Sequence, residues 1–554
     1  MDTLEVKRLD HLGIVAGVIK ELGLVKALDE RLQKEEGDQE WISPGEAIAG
    51  MIINGLGFSD RPLTLTPQFF ESKALEQLFR PGIKADYFNR HKLGKTLDFI
   101  HAYGCEKLFY ELSVKCCRQE NISLRFNSED TTSLSVSGDY SSEPKEHTVT
   151  IRKGYSKDQR SDLNQVIHEL LVSQDGGVPL MMKSWDGNAS DNIIFESRCN
   201  ALIEHFKQSD RPRYLIADSK LYHKKNMVNL AHLPYITRIP GTLKSESEVI
   251  NRALKASSWK KFDNNYRYQE FSITHYDLPQ RWIVVFSDQA KSRAEKTIVK
   301  ACKKEQLKLE KALWHLSNQP YGCKKDAKKA LDQIIQKSRY HHLASIRLSE
   351  KKKFEKTGRP RKGSHPKVSQ YFIHAKLVLK PEALNNRLNQ KACFVLGTTI
   401  PADELSPDEI IAAYKQQHAS IENTGFRFLK DPLFFTRSFC LKKPSRIMGL
   451  LTIMTLALLV YSIAQRRLRA ALEKKKETLP NQINQPISRP TLRWIFQLLD
   501  GIHIVKITRH QSTDYIIEGM TEIKERIIAY FGDFVRTIYK IDKTIFLAKG
   551  GSSM

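Results

Sequence analysis

The sequence predicts an α/β protein in which a mixed sheet flanked by helices follows a helical N-terminal region. Apolar residues recur at helical spacing through residues 1–120, and β-branched or alternating segments begin near residue 122. Helical stretches then separate successive strand segments. Such alternation is typical of a mixed α/β sheet.

The N-terminal region contains two segments that predict helices. Apolar residues between 9 and 19 follow a helical spacing, and the string SPGE at 43–46 supplies an N-cap serine, a first-turn proline and an acidic first turn. A further basic and aromatic helical stretch covers residues 87–103. It predicts either a DNA-binding helix-turn-helix or a helical dimerisation or scaffold domain, and the sequence leaves both open.

The remaining elements follow in chain order. Strands are predicted at 122–126, 131–140, 147–155, 178–185, 214–218, 281–287, 371–379 and 392–399. Helices are predicted at 160–174 and 192–208, in the Lys-rich stretch 290–345, and after the helix-start string SPDE at 406–409. A basic loop rich in breaking residues occupies 349–367.

Charge and length favour a polyanionic partner. The 554 residues include 88 Lys and Arg against 63 Asp and Glu, which gives a formal charge of +25. A positive field of this size favours nucleic acid first and an anionic membrane surface second. The chain is long enough for several domains.

Cysteine usage and hydropathy indicate a cytoplasmic protein. The eight Cys include no CxxC pair, so the sequence predicts neither a disulfide framework nor a zinc site. The N-terminus has no apolar segment of the kind found in signal peptides, and we expect none. Residues 447–464 carry no charge, and we interpret them as a buried core helix rather than a membrane span.

Three acidic residues in distant parts of the chain could share metal ions. Asp130 follows the apolar string SLRF, Asp218 ends the predicted strand YLIAD, and Glu422 lies in a late helix. Carboxylates are the ligands that Mg²⁺ prefers, and two such ions can activate an attacking oxygen and stabilise a leaving one. The long interval between Asp218 and Glu422 implies an inserted domain. From the residues alone, the alternative is that these acids are helix caps or ion-pair partners.

Five strings, in order along the chain, carry a family resemblance. They are DTTSLSVSGDY (130–140), GYSKDQRSDLNQV (154–166), WDGNASDN (185–192), YLIADSKLY (214–222) and the helical segment 414–430 with its continuation RFLKDPLFFTRSFCLKKPSRIMGLL. Together they resemble the DDE transposases of bacterial insertion sequences, in the IS-four superfamily with an inserted domain. The resemblance runs from about residue 10 to residue 505.

The resemblance implies a fold and a domain order. We expect an RNase H-like catalytic core, a mixed sheet flanked by helices, that is interrupted by an inserted domain and preceded by a helical N-terminal domain. The expected domains are 1–120 (DNA binding or dimerisation), 121–222 and 396–510 (the two parts of the core), 223–395 (the insertion) and 511–554 (a C-terminal tail).

The resemblance also implies an activity and its ligands. Asp130, Asp218 and Glu422 would be catalytic and would hold two Mg²⁺ ions, with Mn²⁺ able to substitute. The protein would cut double-stranded DNA at the transposon ends and join the freed 3′-hydroxyls to target DNA, as a homodimer in the DNA complex. It would be cytoplasmic, associated with the nucleoid and not bound to a membrane. The alternatives are a metal-dependent nuclease of the same fold and a catalytically decayed DNA-binding protein.

One departure from the family pattern affects the late helix. The family signature usually places Glu seven residues after Tyr and Lys seven after Glu, whereas both intervals are eight here, from Tyr414 to Glu422 and from Glu422 to Lys430. The roles of Tyr414 and Lys430 therefore stay open, and Asp431 is the fallback for the third acid. Arg427 and Lys430 are candidates for gripping phosphate, with a solvated basic face as the alternative.

Two further sets of residues have alternative interpretations. Arg359, Arg361 and Lys362, in the loop GRPRKG, predict insertion into a narrow minor groove or nonspecific phosphate contacts. The tryptophans of the insertion, at 259, 282 and 314, predict core packing or stacking on a flipped base. Asp158 and Asp162 predict caps of a helix that begins near Ser161, rather than metal ligands.

Overall fold

The computed structural model describes residues 3–32, 41–58, 62–140, 147–190, 213–229, 233–256, 258–336, 338–353, 368–431, 441–509 and 512–540. It forms two compact units. The first unit contains Met1–Thr237 and Glu409–Met554, and the second contains Arg238–Asp408. The basic loop with Arg359, Arg361 and Lys362 and the helix predicted at 192–208 lie outside the described residues.

The N-terminal part of the first unit is helical, as predicted. After strand β1 (Thr3–Arg8) come α1 (Leu12–Glu21), α2 (Leu24–Asp29), α3 (Pro44–Leu56), α4 (Thr66–Glu71), α5 (Leu75–Leu78), α6 (Arg90–Tyr103) and α7 (Cys105–Gln119), with 3₁₀ turns at Leu63–Leu65 and Ala85–Phe88. At the start of α3, the Ser43 hydroxyl accepts from the Glu46 N–H and the Glu46 carboxylate accepts from the Ser43 N–H. This capping box satisfies two orphan donors and confirms the predicted helix start.

The core sheet of the first unit is mixed, as predicted, and fits the RNase H-like core that the resemblance implies. Its strands are β2 (Phe126–Val136), β3 (Asn164–Ser173), β4 (Pro179–Trp185), β5 (Tyr214–Ala217) and β6 (Tyr235–Arg238), and helix α8 (Lys224–Asn229) connects the last two. Their order in space is β4-β3-β2-β5-β6. The pairs β2–β3 and β3–β4 are antiparallel, whereas β2–β5 and β5–β6 are parallel.

Two predictions in this region are wrong. Residues 160–174, predicted as a helix, contain strand β3, and residues 147–155, predicted as a strand, form irregular backbone with one isolated bridge from Arg152 to Gln165. Nine of the ten β3 residues are buried. A strand covered on both faces has no period-two pattern, so periodicity cannot distinguish it from a buried helix. The separate strands predicted at 122–126 and 131–140 are replaced by one strand, β2, which covers only Phe126–Val136.

The second unit combines a small sheet with long helices. In chain order it contains α9 (Lys244–Ala256), β7 (Lys260–Lys261), β8 (Tyr266–His275), β9 (Leu278–Ser287), α10 (Asp288–Asn318), α11 (Lys324–Ile335), β10 (His341–Lys353), β11 (Val368–Leu379), α12 (Pro381–Ala392) and β12 (Cys393–Thr398). Strands β12, β9, β8 and β7 are neighbours in that order, and β10 and β11 form a separate two-stranded ribbon. The Lys-rich stretch is helical as predicted up to Ile335, but its last residues begin β10.

A long buried helix forms the centre of the first unit. The chain returns through α13 (Pro407–Gln417), a π-helix (His418–Phe426), the short α14 (Arg427–Leu429) and α15 (Pro444–Lys475). Helix α15 is long and apolar enough to cross a membrane, but 94% of its most apolar window is buried inside the protein. It packs on α1, α3, α6, α7 and β4, which agrees with the core helix predicted at 447–464.

The two ends of the described chain meet in a second sheet. Strand β1 pairs with β15 (His503–Arg509), which pairs with β16 (Ser512–Glu518), and all are antiparallel. The same part of the chain contains the short hairpin β13 (Leu479–Pro480) and β14 (Pro486–Ile487) and helices α16 (Leu492–Leu498), α17 (Glu522–Ala529) and α18 (Asp533–Ile538). The segment predicted as a C-terminal tail thus contains a strand and two helices up to residue 540.

Candidate active site

Two of the predicted acids lie side by side in the core sheet. Parallel strands β2 and β5 pair Glu129 with Ala217, so the next residue on each strand, Asp130 and Asp218, is at the same level. Neighbouring strands are about 4.8 Å apart. Asp218 stands where β5 ends, as predicted, but Asp130 lies within β2 rather than after a strand, because β2 continues six residues further.

Short hydrogen bonds hold the backbone and carboxylate at Asp218. The Thr237 hydroxyl donates to the Asp218 carbonyl oxygen at 2.7 Å, which ties the end of β5 to β6. The backbone N–H of Lys220 donates to Asp218 Oδ1 at 2.9 Å. These contacts orient the carboxylate at the strand end.

The two carboxylates interact unfavourably when both are charged. Burial raises the pKa of Asp218, and the negative charge of Asp130 raises it further. The N–H and the charge of Lys220, together with the charge of Lys157, act in the opposite direction. Two partly buried acids on adjacent strands that repel each other form a site where a cation would be stabilised.

Lys157 is a residue of this site that the sequence reasoning did not single out. Its ammonium donates to Asp130 Oδ1 at 3.1 Å, to Thr131 Oγ1 at 3.1 Å and to the Thr131 carbonyl oxygen. Its backbone N–H donates to Ser133 Oγ at 3.0 Å. The string SKD within GYSKDQRSDL was the available indication, since it places a cation in the loop between β2 and β3.

Helix α13 and the π-helix lie over the sheet face that carries Asp130. The Gln174 amide donates to Ser128 Oγ at 3.0 Å and to the Ala413 carbonyl at 2.8 Å, and Ser128 is on the same face of β2 as Asp130. A Cβ atom built on Gly425 would stand 3.6 Å from Leu170 Cδ1, and Leu170 is directly opposite Asp130 in the β2–β3 register. The π-helix therefore covers this face next to Asp130.

Glu422 is in the π-helix, and its side chain lies outside the described residues. The π-helix explains the departure from the family spacing. An i→i+5 turn contains one residue more than an α turn, and such turns are frequent at functional sites. The eight-residue intervals on either side of Glu422 fall across this segment.

The other acids near the late helix are in ion pairs. Lys430 Nζ lies 2.8 and 2.7 Å from the two carboxylate oxygens of Asp158. Asp431, the fallback, pairs with Arg493 of α16. Asp162 pairs with Arg160 at 2.9 Å, and no helix begins near residue 161, so the predicted capping roles of Asp158 and Asp162 are wrong.

The remaining candidates have mixed environments. Arg427 is exposed and Tyr414 is partly buried. Trp282 is fully buried, and Trp259 packs edge-on against Phe286 with 5.8 Å between ring centroids, so both fit core packing. Trp314, by contrast, is 64% exposed on α10, so the core interpretation fails for it.

The two acids that the structure describes, Asp130 and Asp218, fit a divalent cation. Among the residues that the structure describes, no group of three or more His, Cys, Asp or Glu side chains could hold a metal ion. Asp130 and Asp218 nevertheless present the hard oxygen donors that Mg²⁺ prefers. A cation between them would relieve the repulsion that contributes to the raised Asp218 pKa.

Family models match two parts of the chain, and a solved structure is similar to it at low identity. A family model described as "Transposase DDE domain" matches residues 130–460, more than half of the chain, and one described as "Domain of unknown function (DUF4277)" matches residues 4–114. No curated protein matches the chain. A solved structure entitled "Cryo-EM structure of piggyBac transposase synaptic complex with hairpin DNA (SNHP)" is similar with a TM-score of 0.36 at 9% identity, covering 89% of this chain and 80% of that one.

Proposed function

The chain belongs to the transposase DDE domain family, and from this premise we propose that it cuts DNA at the ends of an insertion sequence and joins those ends to target DNA. The proposed catalytic residues are Asp130, Asp218 and Glu422. The observation that carries the proposal is the acid pair, in which Asp130 and Asp218 occupy the same level of adjacent parallel strands.

The chain's own residues prepare this pair for a phosphodiester. The Thr131 N–H donates to Asp130 Oδ1 at 2.7 Å, and Lys157 donates to the same oxygen, so the carboxylate is held in one orientation. Glu422 would approach from the π-helix above that face of the sheet. Two divalent cations held by these acids would supply activation of the attacking oxygen and stabilisation of the leaving one.

Basic residues would hold the DNA. The net charge of +25 favours a polyanion, and phosphate contacts from Arg427 and Lys430 would lie close to Glu422 in sequence. Lys430 is paired with Asp158 in this structure, so its contact with phosphate would require exchange of that ion pair. We also propose duplex DNA as the partner and a homodimer in the DNA complex, because two ends must be joined.

The test replaces each acid by its amide. Asp130→Asn, Asp218→Asn and Glu422→Gln are each expected to abolish Mg²⁺-dependent cleavage of a duplex that carries the element's end, while binding to that duplex stays within a few-fold. Asp162→Asn is the matched control, because that acid is exposed and paired with Arg160. Full cleavage by the Asp130 or Asp218 variant would refute the acid pair as the active site. Cleavage by the Glu422 variant would move the third role to Asp431.

A second assay separates transposition from simple hydrolysis. Pre-cut ends are incubated with the protein, Mg²⁺ and a supercoiled target plasmid, and joined products are resolved on a gel. We expect joined products that disappear in the Asp218→Asn variant. Hydrolysis without joining would identify a nuclease, and metal-independent binding without cleavage would identify a decayed DNA-binding protein.

A further inference from the structure

The ribbon of β10 and β11 has one face against helices and one face in solvent. Its inner face contributes Ile373, with Leu343, Ala375 and Leu377 beside it, to a cluster with Leu313 of α10 and Leu331 of α11. The edge of β11 is fixed by a pair of backbone hydrogen bonds between Tyr371 and Tyr321, at 2.9 and 3.0 Å. The ribbon is therefore held against the helices of the second unit.

The solvent face of the ribbon carries positive charge without acids. The antiparallel register pairs Ala344 with Lys376, Arg347 with His374, Ser349 with Phe372 and Lys351 with Gln370, and directly paired residues share a face. Arg347, Lys351, His374 and Lys376 are exposed. The one acid within β10 and β11, Glu350, pairs with Tyr371 on the opposite face.

The face also has an aromatic surface and a defined length. Lys351 Nζ lies 5.5 Å from the centroid of the Phe372 ring, so the cation and the ring form a cation–π pair on the solvent face of the ribbon. The basic side chains from Lys376 to Lys351 extend over about six residues of strand, or about 20 Å. A stripe of this length can contact several successive phosphates of a duplex.

We propose that the solvent face of β10–β11 is a docking surface for duplex DNA and that the ribbon enters the major groove. This face is formed by Arg347, Lys351, Phe372, His374 and Lys376. A two-stranded ribbon fits the width of that groove, and the absence of carboxylates on the described face removes the repulsion that phosphates would otherwise meet. The shift in strand register between Ala344 and Arg347 adds local twist, which suits a helical groove. This inference rests on the proposed action on DNA and names the surface that holds it.

The experiment measures how DNA binding depends on salt. The full-length triple variant Arg347→Ala, Lys351→Ala, Lys376→Ala is compared with wild type by fluorescence anisotropy on a labelled 30-base-pair duplex over a range of salt concentrations. The slope of log K against log salt is negative, and each lost phosphate contact reduces its magnitude by about 0.9. Loss of three contacts should therefore make the slope about 2.7 less steep. A matched triple variant removes Lys244, Lys255 and Lys260, exposed elsewhere in the same unit, and should leave the slope unchanged.

The outcomes distinguish this inference from the proposed function. A slope equal to wild type in the ribbon variant, with its thermal unfolding unchanged, overturns the docking surface. An equal loss in the control variant also overturns it, because the effect would then reflect total charge. If the ribbon variant loses more affinity for single-stranded DNA than for duplex DNA, the proposed entry into the major groove is overturned. If wild type binds and cleaves DNA in each of these cases, the proposed function stands; if wild type binds no DNA, that function fails instead.

Discussion

Replacement of Glu305 should destabilise the second unit measurably. Glu305 lies on α10, and its carboxylate accepts from the backbone N–H groups of Arg339 and Tyr340 at 3.1 and 2.9 Å and from the Ser338 hydroxyl at 2.9 Å. His341 Nδ1 donates to the same group at 2.9 Å. One side chain thus ties α10 to the start of β10.

The size of the effect follows from the pKa of Glu305. Burial acts to raise this pKa, but the hydrogen bonds from His341, Tyr340, Arg339 and Ser338 outweigh burial and lower the pKa from 4.5 to about 2. A shift of one pKa unit corresponds to about 1.4 kcal/mol, so the ionised carboxylate contributes about 3 kcal/mol to folding. Because the pKa is lowered in the folded state, this contribution is complete above about pH 4.5 and is lost as the pH falls towards 2.

The assay is urea unfolding of the Glu305→Gln variant. Unfolding is monitored locally by hydrogen exchange of peptides from α10 and β10. A local probe is needed because a chain with two units need not unfold in one step. At pH 7 we expect the variant to lose about 3 kcal/mol, and at pH 3 the difference from wild type should be much smaller. The control is Glu295→Gln, an exposed residue of the same helix.

Two results would refute this reasoning. If Glu305→Gln and Glu295→Gln have the same stability at pH 7, the four hydrogen bonds do not stabilise the unit. If the loss in Glu305→Gln is as large at pH 3 as at pH 7, the effect comes from shape rather than from the charge of the carboxylate.

Two further substitutions test the packing of the first unit. Gly187→Ala should lower the free energy of unfolding by about 1–3 kcal/mol or more, because the added Cβ would stand 2.2 Å from the Gln165 carbonyl oxygen. The control is Gly322→Ala, where the added Cβ has open space around it. Equal melting temperatures of the two variants would contradict the clash. Arg467→Met should cost about 3 kcal/mol in urea unfolding, because it leaves the Glu120 carboxylate, only 10% exposed, without its ion-pair partner. A loss below 1 kcal/mol would mean that water or another cation replaces the guanidinium.

The position of Asp218 could be predicted from sequence because a strand end is a local feature. The string YLIAD fixes a strand and the acid that ends it, and a parallel neighbour brings Asp130 to the same level. Their mutual distance depends on which strands are adjacent, and that order was not predicted but is seen in the structure. Lys157 could not be predicted in the same way, because it reaches Asp130 from an irregular loop whose position depends on tertiary contacts.

Strand β3 illustrates why the sheet itself was only partly predicted. Its segment QVIHELLVS contains apolar pairs spaced three or four residues apart, which also suit a helix face. Since both faces of β3 are covered, the polar residues His168 and Glu169 are buried too, and no alternation separates the two structures. In the second unit the strands at 281–287, 371–379 and 392–399 were predicted, whereas α9, β8 and α12 were not. Most of β10 was assigned instead to the end of the Lys-rich helix and to the basic loop.

A π-helix lies in the segment where the residue spacing departs from the family pattern. Two α turns contain about seven residues, which is the interval that the family signature uses. When one of the two turns has i→i+5 bonds, it contains one residue more, and eight residues then rotate a side chain through about the same angle. The intervals from Tyr414 to Glu422 and from Glu422 to Lys430 each cross part of His418–Phe426. Residue counts can therefore differ by one from the family pattern within one helical segment, so the eight-residue intervals are compatible with Glu422 as the proposed third acid.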